Sequence, residues 1–319
     1  MLAHSAHAKR VYAYAQQKSA AAKSPIVASW RRCMTVHGLA PERIGSPQRI
    51  TEGELKLAQE EAGELIANVS DEVDRLHSVL RRAGYCILLA NTSGVALVRR
   101  GARGDDRAFA DLGLWTGSVW TEASVGTNGI GTALVDERAV SVFRDQHFLC
   151  SNVRLSCTSA PVRDHKGRLA AVLDISTCRD DVGEEVFSVL TQAVRDAASR
   201  IELALFRNAF AGSRFVMLPG GANPAALLAV DRHDLVVGAT RAARSVLALD
   251  DRRIEAGFPA ADALKESVPA GEEDLGESER SVLLRALARK KGNVSSAAIS
   301  LGISRATLYR KLKKFDLRG

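Results

Sequence analysis

The stretch SVGTNGIGTALVDE, from Ser124 to Glu137, places three glycines within six positions and continues into an apolar helical segment. A glycine-rich turn before a helix either cradles a phosphate or lets the chain pass close to a neighbouring element. The spacing is G-x-x-G-x-G, which differs from the dinucleotide fingerprint G-x-G-x-x-G, and no lysine follows to meet a phosphate. The pattern therefore predicts close packing against a sheet and a helix ending near Asp136, whose first amides also suit a small polar or anionic ligand.

Strand-like segments lie on both sides of this stretch. Before it, YCILLANTSGVALVRRG (Tyr85 to Gly101) has two apolar runs around a turn at Asn91 to Gly94, which predicts a hairpin. After it come three further strand candidates, the last two joined by a turn over 164–167: Ala139–Phe143, Leu155–Arg163 and Arg168–Ser176. These segments predict a small antiparallel sheet.

Two long helices flank the predicted sheet. Thr51 and Glu54 have the spacing of a capping box, and apolar residues then recur every three or four positions, which predicts one helix from about Glu52 to Ala83. A second helix is predicted from about Val182 to Ala211. The apolar stripe of the first helix suits either packing on the sheet or pairing with a second copy in a dimer. The fold class is therefore α+β, in the arrangement of a sensory domain.

The basic character of the chain is concentrated at its C-terminal end. The 319 residues contain 44 Lys and Arg against 37 Asp and Glu. From Gly276 to Gly319 there are eleven Lys or Arg against three Asp or Glu, so this segment carries the positive charge and the rest is close to neutral. A charge confined to one terminal module predicts a polyanionic partner for that module.

The basic segment divides into three short helices at glycines. Arg289 to Lys291 end the first helix before Gly292, Asn293 is placed to cap the second, and Gly302 ends it. Ser304 is placed to cap a third helix that runs to Phe315. Two short helices joined by a tight glycine turn form a helix-turn-helix, whose second helix enters the major groove of DNA.

Residues of the third helix divide into base-reading and phosphate-binding groups. Side chains in its first turn face base edges, later cations hold phosphates, and a solvated basic helix is the simpler alternative. The predicted DNA contacts are Ser304, Arg305, Thr307, Tyr309, Arg310, Lys311, Lys313 and Lys314.

Longer motifs resemble known regulators. GNVSSAAISLGISRATLYRKLKKF resembles the Fis-type helix-turn-helix, which implies a homodimer formed largely through the first helix and a palindromic site on double-stranded DNA. SWRRCMTVHGLAPERI and the long segment from Val119 to Ser176 resemble the acetoin-catabolism regulator family of bacterial activators. This resemblance implies a GAF sensory domain with a GAF-type antiparallel sheet. It also implies regulation of a catabolic operon by a small-molecule effector such as acetoin or another small alcohol, ketone or aromatic.

A further segment, Ala225 to Leu249, is typical of strand, turn, strand and helix, and it resembles the opening of a PAS domain. Too few residues follow for a complete PAS fold, so a partial one is predicted. The predicted organisation is an N-terminal helical segment and linker (1–50), a GAF domain with its long helices (51–212), a partial PAS-like segment (213–265), a linker (266–276) and an all-α Fis-type helix-turn-helix (277–319).

The sequence departs from this family at one point. Members usually carry an ATPase domain that acts on polymerase bearing sigma-54, yet G-x-x-x-x-G-K-[ST] does not occur and the dipeptide Gly-Lys is absent. We expect regulation without an ATPase of its own, through RNA polymerase or a full-length related activator.

Six residues around the glycine stretch are candidates for effector binding: Trp115, Trp120, Thr127, Asn128, His147 and Cys157. Each has a simpler structural explanation, because buried tryptophans and cysteines are usually core and Thr-Asn between glycines suits a turn. His147, Cys150 and Cys157 supply only three soft ligands, so no metal site and no cofactor are predicted. No catalytic arrangement stands out, and the chain is not expected to be an enzyme.

The composition indicates where in the cell the protein is expected, and one alternative function remains. No apolar segment is long enough to cross a bilayer, and five cysteines without a CxxC pair suit a reducing compartment, so a cytoplasmic protein without membrane contact is expected. The alternative function is a Fis-like architectural DNA-binding protein whose GAF domain serves dimerisation only.

Overall fold

A computed structural model describes residues 2–218, 226–266, 279, 282–283, 286–287, 290 and 293–315. The chain divides into two compact units, Met1–Ala260 and Ala261–Gly319. Most of the predicted linker 266–276 lies outside the described residues. None of the described helices is both long enough and apolar enough to cross a membrane.

An antiparallel sheet of five strands is the centre of the first unit. The strands lie in the order β2-β1-β5-β4-β3, and every neighbouring pair is antiparallel. Their bounds are β1 Cys86–Asn91, β2 Ala96–Arg100, β3 Val140–Phe143, β4 Ser156–Arg163 and β5 Leu169–Thr177. The predicted α+β fold class is confirmed, because all four strand-bearing segments form strands in one sheet flanked by helices.

The two faces of this sheet are covered by different elements. Side chains alternate along each strand, so Leu89 and Leu173 face one side while Leu88 and Val172 face the other. The first side packs against α5 (Gly63–Leu80) and α9 (Glu184–Ala209). The second side packs against the N-terminal helices and the glycine stretch. Both faces are therefore buried, which explains the continuous apolar character of β1 and β5.

The predicted helix from Glu52 to Ala83 is wrong in one respect, because it is two helices. α4 (Glu52–Glu61) ends at Ala62, whose ψ of 12° lies outside the helical region, and α5 follows. The capping box of Thr51 and Glu54 is present in both directions. α5 buries Val69, Val73 and Leu76 whereas no residue of α4 is buried, so the apolar stripe of α5 belongs to the core.

Three helices precede this pair: α1 (Leu2–Ala15), α2 (Lys18–Lys23) and α3 (Pro25–Thr35). Ser24 caps α3 by accepting a hydrogen bond from the Val27 amide, with proline in the first turn. Trp30 and Cys33 of α3 are buried in the core of the second sheet face. The helices α6 (Asp106–Asp111), α7 (Glu122–Val125) and α8 (Gly129–Asp136) connect β2 to β3.

A second, smaller sheet follows α9. Its strands are β6 (Arg214–Met217), β7 (Leu227–Val230), β8 (Leu235–Ala239) and β9 (Phe258–Pro259), ordered β6-β7-β8-β9. β7, β8 and α10 (Arg241–Leu247) form the predicted strand, turn, strand and helix; α11 (Asp251–Glu255) and α12 (Ala260–Glu266) follow. Phe206 of α9 packs against Phe215 of β6 and against Phe210, the residue after the helix, so this smaller sheet packs on the end of α9.

In the second unit, α13 (Val294–Ser300) and α14 (Arg305–Lys314) are joined by a turn at Gly302, where φ is 66°. Asn293 and Ser304 cap these helices as predicted, accepting hydrogen bonds from the Ser296 and Thr307 amides. The two helices share a small core that includes Leu283 and Leu287 of the preceding segment.

Candidate functional site

The glycine stretch forms two short helices that meet at a sharp turn. α7 ends at Gly126, whose φ of 70° is in the left-handed region. Asn128 then caps α8, because its Oδ1 accepts a hydrogen bond from the Gly131 amide at 2.8 Å and its Nδ2 donates to the Gly126 carbonyl at 2.8 Å. The Asn128 side chain is therefore occupied in holding the turn.

Two of the glycines bring this turn against its neighbours. A Cβ at Gly126 would lie 2.6 Å from the Phe148 side chain, and one at Gly129 would lie 2.8 Å from Oδ1 of Asp174 on β5. Real side chains do not tolerate such contacts. The prediction of close approach to the sheet is confirmed for Gly129, whereas Gly126 permits close approach to Phe148, which lies outside the strands.

A buried polar network connects this turn to the N-terminal helix α3. Glu122 is only 1% exposed in its side chain, and both of its oxygens accept hydrogen bonds from Arg32, at 2.8 and 2.9 Å. Ser29 donates its only hydroxyl proton to Glu122, so the Thr127 hydroxyl, 2.6 Å from Ser29 Oγ, donates to Ser29. Arg32 also pairs with Asp136 at 3.0 Å. Residues 90 or more positions apart thus form one ion-pair and hydroxyl network.

No local sequence pattern identifies Ser29, Arg32 and Glu122 as a group. Their side chains meet because α3 packs over the glycine turn. Considered without its partners, Glu122 has the pattern of a solvent-exposed carboxylate in the first turn of a helix. The one usable signal was the capping pattern of α7, which placed Glu122 in its first turn.

A second buried carboxylate lies on the sheet beneath α8. Asp174 is almost completely buried, and the hydroxyls of Ser159 and Ser176 donate to its two oxygens, the latter at 2.6 Å. Burial raises the pKa of Asp174 to about 6, although the serine hydrogen bonds act in the opposite direction. The face of the sheet toward the glycine turn therefore contains an acidic group without an ion pair among the described residues.

His147 and Cys157 lie next to each other on the same side of the molecule. The His147 ring donates from Nδ1 to the Arg144 carbonyl at 2.9 Å, and Nε2 lies 3.5 Å from Cys157 Sγ. Burial lowers the pKa of His147 to about 4 and raises the pKa of the Cys157 thiol. A neutral imidazole therefore accepts from a protonated thiol, and both side chains are core. The described residues contain no group of three or more His, Cys, Asp or Glu placed to hold a metal ion.

The two predicted tryptophans differ in exposure. Trp120 is buried and donates from Nε1 to the Gly113 carbonyl at 3.1 Å. Trp115 is half-buried, with the Arg99 guanidinium 4.2 Å from its ring centroid. The six predicted effector residues thus lie around one sheet face, all but Trp115 buried, with Thr127, Asn128, Trp120, His147 and Cys157 hydrogen-bonded within the protein.

In the second unit, α14 presents most of its cations to solvent. Leu308 and Leu312 are buried, while Arg305, Tyr309, Arg310, Lys313 and Lys314 are exposed. The Arg305 guanidinium lies 5.5 Å from the Tyr309 ring centroid, and Tyr309 is 47% exposed. Ser304 and Thr307 are engaged with each other at the start of the helix, 2.8 Å apart. The helix therefore combines an anchored apolar face with a basic exposed face.

Glu279 pairs with two of these cations. Lys311 and Lys314 both contact its carboxylate, Lys314 at 3.1 Å, and these hydrogen bonds lower the pKa of Glu279. This carboxylate therefore neutralises part of the positive charge of Lys311 and Lys314. Sequence reasoning missed this residue, because nothing in the local pattern placed it beside α14.

Comparisons with known proteins agree with this arrangement. Residues 3–203 match the family described as "MimR, N-terminal domain", and residues 275–315 match "Bacterial regulatory protein, Fis family". The chain is 32% identical over 69% of its length to the acetoin catabolism regulatory protein of Cupriavidus necator, covering 34% of that protein. It is 30% identical over 57% of its length to MimR, the propane 2-monooxygenase operon transcriptional activator of Mycolicibacterium smegmatis, covering 30% of it.

The chain thus spans about a third of the length of these relatives. Among solved structures, a chain of the E. coli DhaR(N)–DhaL complex resembles this protein with a TM-score of 0.53 at 15% sequence identity. The match covers 71% of this chain and 76% of that chain, and it supports the fold alone. The family match extends over more than half of the residues. The chain belongs to the MimR N-terminal domain family of bacterial transcription regulators and carries a Fis-family helix-turn-helix.

Proposed function

We propose that this protein is a ligand-responsive, sequence-specific DNA-binding regulator of a bacterial catabolic operon. The observation that carries the proposal is α14, a capped helix on an apolar core that exposes Arg305, Arg310 and Lys313 directly after a tight glycine turn. Arginine near the start of a recognition helix suits guanine edges, and later lysines suit phosphates. Ser304, Thr307, Tyr309, Lys311 and Lys314 remain in the proposed contact set.

The sensing half of the proposal rests on the sheet face around the glycine turn. That face holds buried hydroxyls and the carboxyl of Asp174, which suit acetoin or another small alcohol, ketone or aromatic that carries a polar group. Relatives are named for acetoin catabolism and for a propane monooxygenase operon, which supports a small metabolite as effector. Because α3 covers this face, effector entry would require α3 to move and would disturb the Arg32–Glu122 pair.

Three further features complete the proposal. RNA polymerase or a related full-length activator is the proposed protein partner. A homodimer with two recognition helices would read a palindromic site. The proposed domain boundaries follow residues 50, 212, 265 and 276.

Binding to the DNA upstream of its own gene tests the proposal. Fluorescence anisotropy of the full chain should give a dissociation constant below about 1 µM, at least about a thousandfold tighter than for unrelated DNA, and weaker in rising salt. Acetoin and related small metabolites should change this constant. Equal affinity for every sequence would contradict the proposal.

The alternative is an architectural DNA-binding protein whose GAF-type domain only dimerises. The burial of five predicted effector residues among protein partners favours it. Thermal unfolding separates the two, because a sensor gains roughly 3 to 4 kcal/mol at ligand concentrations of about 100 to 1,000 times the dissociation constant, whereas a dimerisation domain gains nothing.

A further inference from the structure

A partly enclosed cavity of about 350 Å³ lies between the GAF-type sheet and the PAS-like segment. Its walls come from the turn between β4 and β5, from α9, and from Thr240 and the start of α10. None of its lining residues belongs to α3, α7 or α8, so it is separate from the proposed effector face. An adjoining cavity shares Ser199, Glu202 and Arg241 with it.

Four carboxylate or guanidinium side chains line this cavity, two of each sign. One of each sign is already paired with a residue outside the lining. Arg163 pairs with Glu137 at 2.9 Å, and Asp164 pairs with Arg168 at 2.8 Å. The charges that remain to meet a ligand are therefore one carboxylate and one guanidinium.

The remaining carboxylate is Glu202 of α9. Its side chain is half-buried, and Oε1 accepts a hydrogen bond from the Arg163 backbone amide at 2.9 Å. No ion pair with Glu202 occurs among the described residues. Burial raises the pKa of Glu202, against the effects of that hydrogen bond and of the Arg163 and Arg241 guanidiniums. A cationic group placed beside this carboxylate would stabilise its ionised form.

The remaining guanidinium is Arg241, on the first turn of α10. It is exposed, and it forms no ion pair within the part of the chain that the structure describes. Glu202 and Arg241 both line both cavities, although they belong to different elements. One small molecule in this space can therefore reach both charges.

An apolar surface lies next to Glu202 on the same face of α9. Leu203 and Phe206 form it, with Ser199 one turn earlier along the helix. A ligand with only a negative charge would lie beside Glu202 without compensation, and a ligand with only a positive charge would lie beside Arg241 in the same way. The lining therefore favours a molecule that carries both charges and a short apolar body.

We propose that this junction is a second ligand site, which binds a free amino acid with an apolar side chain as its zwitterion. The ammonium group contacts Glu202, the carboxylate contacts Arg241, and the side chain covers Leu203 and Phe206. The ligand thereby connects α9 to the PAS-like segment. The site goes beyond the proposed function, because its test uses no DNA and no residue of the glycine turn.

The test is calorimetric titration of the full chain with free leucine and phenylalanine, and with two leucine analogues that each lack one charge. At about pH 6.5 the ammonium of leucine and of leucinamide is ionised, as is the carboxylate of 4-methylpentanoate. We expect 4-methylpentanoate to bind about 10- to 100-fold more weakly than leucine, because a half-buried carboxylate loses a charged hydrogen-bond partner. Leucinamide should bind only about 2- to 5-fold more weakly, because Arg241 is exposed and water screens its pairing.

Two variants assign the charges of the ligand to their partners. Glu202→Gln keeps an oxygen for the Arg163 amide and should weaken leucine binding about 10- to 100-fold without weakening 4-methylpentanoate binding. Arg241→Gln should weaken leucine binding about 2- to 5-fold without weakening leucinamide binding. Damage to the fold would instead weaken all three ligands alike. Arg252→Gln, at an exposed position of α11 outside both cavities, is the matched control and should bind leucine as wild type does.

A further variant tests the location without altering charge. Ser199→Tyr places a ring in the space that the two cavities share and should abolish leucine binding. Because Ser199 is exposed, the unfolding temperature without ligand should stay near that of wild type. The proposal is overturned if neither leucine nor phenylalanine binds, or if 4-methylpentanoate binds as tightly as leucine. It is also overturned if Glu202→Gln weakens both of these ligands equally, or if Ser199→Tyr binds leucine as wild type does.

Discussion

Replacing Arg32 by Met should destabilise the first unit strongly, because it leaves Glu122 buried without its counterion. Arg32 donates to both carboxylate oxygens of Glu122, at 2.8 and 2.9 Å, and the Glu122 side chain is 1% exposed. After the substitution only the Ser29 hydroxyl still donates to that carboxylate among the partners described. The perturbation therefore isolates one buried charge.

The magnitude follows from the burial of the two partners. Removing one member of a fully buried pair costs about 3 to 5 kcal/mol of unfolding free energy. Because the Arg32 side chain is 29% exposed, water reaches the space it leaves, and we take the lower end, about 3 kcal/mol. Glu122→Gln alone should cost less, since the amide is neutral, and Arg32→Met combined with Glu122→Gln should be more stable than Arg32→Met alone.

Urea unfolding followed by circular dichroism measures all three variants. Arg31→Met is the matched control, because Arg31 lies on the same helix without an ion pair among the described residues, and its cost should stay within about 0.5 kcal/mol. A cost below about 1 kcal/mol for Arg32→Met, or strictly additive effects in the double variant, would refute the reasoning.

Three further predictions follow from other parts of the molecule. Because the pKa of Asp174 is raised to about 6, ionisation of this carboxyl destabilises the fold as pH rises through about 4 to 6. The free energy of unfolding of Asp174→Asn, relative to wild type, should therefore rise by about 3 kcal/mol between pH 4 and 7. A difference that stays constant with pH would contradict this prediction. Glu279→Gln should tighten binding to unrelated DNA several-fold at low salt, because Lys311 and Lys314 lose their ion pair with Glu279. The difference from wild type should vanish in high salt, and equal affinities at low salt would disprove the prediction. Gly126→Ala should lower the free energy of unfolding by about 1 to 3 kcal/mol, because Gly126 has a positive φ and a Cβ would collide with Phe148. Gly63→Ala is the control and should leave the free energy of unfolding unchanged, because Gly63 has open space around it. Similar losses for both variants in urea unfolding would contradict this prediction.

The slope expected from Asp174 is masked in the wild-type protein by His147. The pKa of His147 is lowered to about 4, so this residue adds stability as pH rises from about 4 to 6.5. The two buried groups therefore oppose each other in wild type. This opposition is the reason for comparing the Asp174→Asn variant with wild type rather than reading the wild-type profile alone.

Local sequence patterns predicted the elements whose causes are local. The caps at Thr51, Asn293 and Ser304 depend on residues three positions away, and all three are present. The strands of the larger sheet were located because apolar runs between turn residues have few alternatives in a chain of this kind. The close approach of the glycine turn to the sheet was predicted for the same reason.

Features that depend on tertiary contacts could not be predicted in this way. The break at Ala62 leaves the apolar repeat intact, so periodicity alone extends the helix through it. The Arg32–Glu122 pair and the Glu279 contacts to α14 each join residues far apart in sequence. Strands β6 and β9 are short, and their pairing with β7 and β8 is visible only in the folded chain.

The central claim, that α14 reads DNA sequence, is tested most directly by the ratio of dissociation constants for the preferred site and a scrambled duplex. Arg305→Ala should reduce this ratio about 5- to 150-fold, equivalent to about 1 to 3 kcal/mol, and leave the salt dependence nearly unchanged. Lys313→Ala, the matched control on the same helix, should weaken both duplexes equally and lower the salt slope by about 1. An unchanged ratio in Arg305→Ala, with the helix still folded, would contradict the claim.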